Sequence, residues 1–177
     1  MEKYPIIELV VKIASRCNLN CKYCYEYNMG DETWKSASKF MTNAVAEQLG
    51  KRIQEHITEF QLKEYNLGLH GGEPLLMSPS KLDELVCSLK STIDPTVELF
   101  FSLQTNAILM SKEHIDIFRK HNIRISISLD GLKETHDKNR IDLKGDPSWE
   151  RVIKGIQLLK QEAPELFIGI LSVIDIE

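Results

Sequence analysis

The sequence predicts an α/β fold built on a parallel sheet that curves into a barrel or partial barrel. Three observations lead there. Short apolar runs alternate with helical patterns along the chain, as right-handed strand–helix–strand units do. The strands are half polar, whereas a parallel sheet covered on both faces reads as unbroken apolar runs. The longest connections, Ala14 to Met41 and Gly131 to Gly145, leave the C-terminal ends of strands, where parallel α/β folds place their sites.

The elements follow in order. Strand 6–13 opens the chain and is followed by the long first loop and a helix over about 42–60. Strand 65–70 sets Tyr65, Leu67 and Leu69 on one face and Asn66, Gly68 and His70 on the other. Ser78-Pro79 caps a helix over 79–93, whose Leu82, Leu85, Val86, Leu89 and Ile93 recur at helical spacing. Strand 97–104 ends with Ser102 and Gln104 opposite Phe101 and Leu103. A helix over 112–121 leads to strand 123–130, where Ile123, Ile125, Ile127 and Leu129 alternate with Arg124, Ser126, Ser128 and Asp130. Asp146-Pro147 opens a helix over 147–161, and strand 166–174 closes the series. The apolar faces belong against helices. The polar faces belong around a wet lumen, unlike the solid interior of a TIM barrel.

Composition narrows the function classes. The 177 residues carry a formal net charge of −4, which argues against nucleic acid as a partner. No apolar run reaches the length of a membrane span, and Met1-Glu2-Lys3-Tyr4-Pro5 is no signal peptide, so a cytoplasmic location is expected. Cysteines stay reduced there, so a clustered trio reads as metal-binding.

That trio is Cys17, Cys21 and Cys24, spaced C-x-x-x-C-x-x-C after the first strand. Three thiolates on one turn hold three corners of an iron–sulfur cube and leave the fourth iron open. The competing reading is a zinc site closed by a fourth ligand such as His70. Gly71-Gly72-Glu73-Pro74 follows the second strand. Its glycines permit close backbone approach or positive φ, and its carboxylate suits an ammonium group. Gln104-Thr105-Asn106 and Ser128-Leu129-Asp130-Gly131 put hydrogen-bonding side chains at the same rim, where Asn106 and Asp130 also serve as turn residues. Arg140, in the long loop from Glu134, suits bidentate binding of a carboxylate. Cys87 lies off its helix's apolar stripe and reads as incidental. His56, His114 and His121 read as surface or edge residues.

With these residues in hand, the chain resembles the radical S-adenosylmethionine (SAM) domain of SPASM-type peptide maturases, and in particular their FxsB-like branch. The resemblance runs nearly end to end. Its anchors are Lys12 to Tyr25, His70 to Leu76, Gln104-Thr105-Asn106, Ser128 to Gly131 and Gly169 to Asp175, with Asp31 to Trp34 and Lys39-Phe40-Met41 pointing to the branch. It implies that Cys17, Cys21 and Cys24 ligate a 4Fe-4S cluster and that SAM chelates the fourth iron. The backbone of Gly71 and Gly72 and the carboxylate of Glu73 would receive the methionine ammonium. Tyr23 would lie by the adenine and Ser128 by the ribose, Arg140 would pair with the SAM carboxylate, and Gln104, Asn106 and Asp130 would complete the cofactor site. The implied reaction cleaves SAM to methionine and a 5′-deoxyadenosyl radical, which modifies a ribosomal precursor peptide, in this branch by a carbon–carbon crosslink. An electron donor such as flavodoxin or ferredoxin is implied as a partner. The alternatives are a sulfatase-maturase-like oxidase of serine or cysteine, or a non-catalytic metal- or peptide-binding fragment. Against the family pattern, residues 1–177 read as one radical SAM domain that ends after its fifth strand, without a sixth strand or a SPASM domain. The family's Asn-Gly turn is Asn106-Ala107 here.

Overall fold

In the computed structural model, which describes residues 4–174, five strands form one parallel sheet in chain order. They are β1 (Glu8–Ala14), β2 (Glu64–Gly71), β3 (Glu98–Thr105), β4 (Ile123–Ser128) and β5 (Phe167–Leu171). Met1 to Lys3 of the amino-terminal reading and Asp175 of the resemblance lie outside the described residues. The order β1-β2-β3-β4-β5 winds in one direction only, which is the partial barrel expected rather than a doubly wound sheet.

The strand alternation is realised residue by residue. Leu67, Leu69, Phe101, Leu103, Ile125 and Ile127 are buried under the helices. Gly68, His70, Ser102, Gln104, Ser126 and Ser128 stay half-buried on the other face. Register keeps the polar positions side by side: Lys12 pairs with His70, Gly68 with Ser102 and Gln104 with Ser126. A slip of one residue would turn every such set over.

The helices are α1 (Asn43–Phe60), α2 (Pro79–Lys90), α3 (Lys112–His121), α4 (Lys133–Asn139) and α5 (Trp149–Glu162). Side chains of Thr42, Ser78 and Ser111 cap the first three. Gln61 and Asn122 close α1 and α3 in left-handed conformation. Four expectations need correction. Segment 131–145 is not a bare loop but contains α4, whose buried residues are the polar His136 and Asn139. Helix α2 ends at Lys90 instead of 93. Asp146 does not cap α5. The carboxylate of Asp137 instead accepts from Ser148 N at 3.0 Å and Trp149 N at 2.8 Å. The last strand stops at Leu171.

Ala107, where the resemblance expects glycine, has φ +59°, so the turn keeps its left-handed shape with a side chain on it. Helix α5 packs directly on this turn. A Cβ added at Gly155 would stand 2.1 Å from the carbonyl oxygen of Ala107. Gly155→Ala must therefore push α5 off the β3–α3 turn. The expected cost is about 1–3 kcal/mol, read as a lower urea midpoint with an unchanged slope.

Candidate active site

The three cysteines are carried by a loop that the ends of β1 and β2 hold down. Gly72 N donates to Ala14 O at 2.9 Å, and Glu73 N donates to Arg16 O at 2.9 Å. No side chain fits between these strands. A Cβ at Gly71, which has φ +140°, would stand 2.2 Å from Ala14 O, and one at Gly72 would stand 1.9 Å from the Tyr27 hydroxyl. The glycine pair thus serves first to let the cysteine loop close onto β2. Arg16 braces the loop from the other side, donating to the carbonyls of Ser15, Trp34, Lys35 and Ala37 and lying 5.2 Å from the Trp34 ring centre. Asn20 N and Lys22 N donate to Ile141 O and Asn139 O, which ties the loop to the end of α4.

Every site residue named from the sequence except Asp130 lines one cavity of about 350 Å³ at the C-terminal ends of the strands. Cys17, Cys21 and Cys24 are free and half-buried. Burial pushes the Cys17 thiol up to about 12 and raises Cys21 as well. Three free thiols on one loop, with no fourth cysteine lining the cavity, are a donor set that fits three corners of a cluster, and His70 stands in the cavity wall.

Glu73 is buried and clasps two elements. Its carboxylate accepts from Leu75 N at 2.9 Å, Thr105 Oγ1 at 2.6 Å and Asn106 N at 2.8 Å. Burial raises its pKa in spite of these donors. Among the described residues it has no cationic partner. A carboxylate offers about four acceptor positions, so one remains for a cation in the cavity.

Asp130 and Arg140 are engaged with each other. Arg140 is the C-cap residue that follows α4. Its Nε and Nη2 donate to the Asp130 carboxylate at 2.8 and 3.1 Å, and its guanidinium lies 5.5 Å from the Tyr23 ring centre. The Tyr23 hydroxyl and Val173 N also donate to Asp130. Burial works against it, but Arg140 and Tyr23 hold this carboxyl below the usual range. Asp130 is thus an internal counter-ion that aims Arg140 and Tyr23, both of which reach the cavity. Gln104 Nε2 donates to Ser128 Oγ at 2.8 Å on the polar sheet face.

Several participants had no sequence signal of their own. Glu26 and Tyr27 line this cavity and also a second one beside β1, and Glu26 forms an ion pair with Lys12 at 2.5 Å. His136 is buried. Ser148 Oγ donates to Arg140 O, so it can only accept from His136 Nε2–H, while His136 Nδ1 accepts from Asp130 N. One neutral tautomer meets all these contacts. His114 and His121 are buried, not at the surface. His121 Nε2 pairs with Asp83 at 2.6 Å, near Cys87, but Lys120 also occupies Asp83 and Lys90 faces His121 Nδ1. That cluster is a self-satisfied ion network between α2 and α3.

These features define a class: a parallel α/β domain that presents three cysteines and a polar cavity at its strand ends. The sequence pattern of the Radical SAM superfamily matches residues 11–175, and the chain belongs to that superfamily, whose members pair a 4Fe-4S cluster with SAM. It is 29% identical over 169 residues to a cysteine-type anaerobic sulfatase-maturating enzyme of Clostridium novyi, covering 94% of this chain and 43% of the relative. It is 30% identical over 161 residues to a serine-type enzyme of Bacteroides thetaiotaomicron, covering 91% and 38%. A solved structure described as native anSMEcpe with bound AdoMet and Kp18Cys peptide matches with a TM-score of 0.79 at 25% identity, covering 94% of this chain and 43% of that one. The chain thus spans less than half the length of these relatives. The similarities favour the sulfatase-maturase alternative over the FxsB-like crosslinking branch. No described helix is long and apolar enough to cross a membrane.

The histidines set a pH limit. Burial holds His70, His114 and His136 below their ordinary value of 6.5. Below that pH the unfolded chain gains protons that the folded rim resists. Their contribution is complete above pH 6.5 and is lost as pH falls toward the lowered native values. The urea midpoint at pH 5.5 should lie below that at pH 7.5, and His136→Asn should flatten the difference. Equal midpoints for the parent chain would refute this.

Proposed function

We propose that residues 1–177 form a radical SAM domain that acts in the sulfatase-maturase manner, oxidising a serine or cysteine residue of a peptide or protein substrate. The observation that carries the cofactor part is the wall shared by three free, half-buried thiols and Glu73, a buried carboxylate with no cationic partner among the described residues. Cys17, Cys21 and Cys24 would hold the cluster. When bound, it supplies the electron that cleaves SAM and releases the 5′-deoxyadenosyl radical. Glu73 would use its remaining acceptor position, with the Gly71-Gly72 backbone, for the methionine ammonium. Arg140, fixed by Asp130, would turn its free N–H groups to the SAM carboxylate. Tyr23 would flank the adenine, and Gln104 and Ser128 on the polar sheet face would reach the ribose. The choice of serine or cysteine oxidation over crosslinking rests on similarity to both types of sulfatase-maturating enzyme. A flavodoxin or ferredoxin as electron donor and a cytoplasmic setting belong to the same reading.

Anaerobic reconstitution tests it. The parent chain and Cys87→Ala should each take up about four irons, and Cys21→Ala should not retain a cluster. Glu73→Gln should weaken SAM binding to the reconstituted protein about ten- to a hundredfold, as loss of a charge-assisted hydrogen bond implies. Iron retained by Cys21→Ala, or SAM affinity unmoved in Glu73→Gln, overturns the corresponding assignment. Oxidation of a serine or cysteine peptide to a hydrazide-reactive aldehyde would separate this chemistry from crosslinking.

A further inference from the structure

We infer that Asn106 tunes the cluster by donating its second amide hydrogen to the sulfur of Cys17, and is not a contact to SAM. The inference rests on the proposed cysteine ligation. Asn106 is buried, and its backbone N–H and both ends of its side-chain amide have assigned directions. Its backbone N donates to Glu73 Oε2 at 2.8 Å. Its Oδ1 accepts from Ile108 N at 3.1 Å. A backbone N–H only donates, so the amide oxygen must face Ile108 and the NH₂ must face the cysteine loop. One hydrogen of that group goes to Asn18 Oδ1 at 2.8 Å. The nitrogen lies 3.9 Å from Cys17 Sγ, within reach of the second hydrogen.

Cys17 is singled out by this arrangement. Leu19 N also donates to its sulfur, at 3.3 Å. Cys21 has its own backbone N–H and the Arg140 charge acting on it, and among the described residues no side-chain amide donates to Cys21 or Cys24. A thiolate accepts far more strongly than a thiol, so both contacts gain weight once Cys17 binds iron. Reduction adds charge to the cluster and its sulfurs. Donors aimed at a ligand sulfur therefore favour the reduced form and raise the midpoint potential. Asn106 acts through Cys17, so it is a positioning and tuning residue.

The test uses the reconstituted full chain and an EPR-monitored redox titration. Asn106→Asp keeps the shape and the acceptor for Ile108 N but replaces the donor with a charge. Asn106→Ala removes both. With iron content equal to the parent chain, both midpoints should move to more negative potential, Asn106→Asp further. Unchanged midpoints in both variants overturn the inference. Loss of iron from both variants, with the parent and Cys87→Ala loaded, assigns Asn106 to cluster assembly and overturns it as well. Failure of the parent chain to hold iron would instead count against the cysteine ligation itself.

Discussion

The site depends on one close approach, the seating of the cysteine loop on the end of β2. Gly71 and Gly72 leave no room for a Cβ because the backbones of Ala14 and Arg16 stand where it would go. Two backbone hydrogen bonds then fix the loop at the point where it leaves β1. Glu73 carries this fixation across the sheet. Its carboxylate joins the turn after β2 to Thr105 and Asn106 at the end of β3. The direction of the Asn106 amide, and with it the surroundings of Cys17, follows from that clasp. A larger residue at either glycine would therefore disturb the cavity long before it touched a ligand.

A second constraint acts from the far side. Asp130 and Arg140 are a buried pair, and such a pair is worth little unless its other groups are met. Here the carboxylate and the Arg140 carbonyl are. Tyr23 and Val173 complete the carboxylate, and the carbonyl of Arg140 is met by Ser148, which His136 holds in turn. Helix α4 exists to complete this network more than to cover a core, since its buried side chains are polar. The arginine reaches the cavity because both its side chain and its backbone are tied down.

The same fact explains what the sequence hides. The strands were legible because burial on one face leaves a period of two, as Ile123, Ile125 and Ile127 show. The cysteine spacing and Gly71-Gly72-Glu73 were legible because chemistry and close approach leave few substitutes. Helix α4 was not, since Lys133 to Asn139 has no apolar stripe and its stability comes from tertiary hydrogen bonds. His114 and His121 look like surface residues for a related reason. Their burial is permitted by partners far along the chain, Met77 O for His114 and Asp83 for His121. Asp130 has the composition of a ligand contact and becomes a counter-ion only because α4 brings Arg140 beside it.

The electrostatics of the rim place two demands on one wall. Burial raises the Cys17 and Cys21 thiols above their ordinary value, which disfavours gathering several thiolates around Glu73. In the proposed ligation, binding iron would displace the thiol protons, and the cost of the buried charge would pass to the metal. The groups that soften that cost are already in place: Leu19 N–H and the Asn106 amide at Cys17, and Arg140 near Cys21. Glu73 remains the exception, a buried acid that among the described residues has donors but no cationic partner. Under the proposed function a positively charged ligand in the cavity would balance it. One wall thus carries three thiols and a buried carboxylate, and under the proposed function a cluster with a chelated amino acid cofactor would meet both.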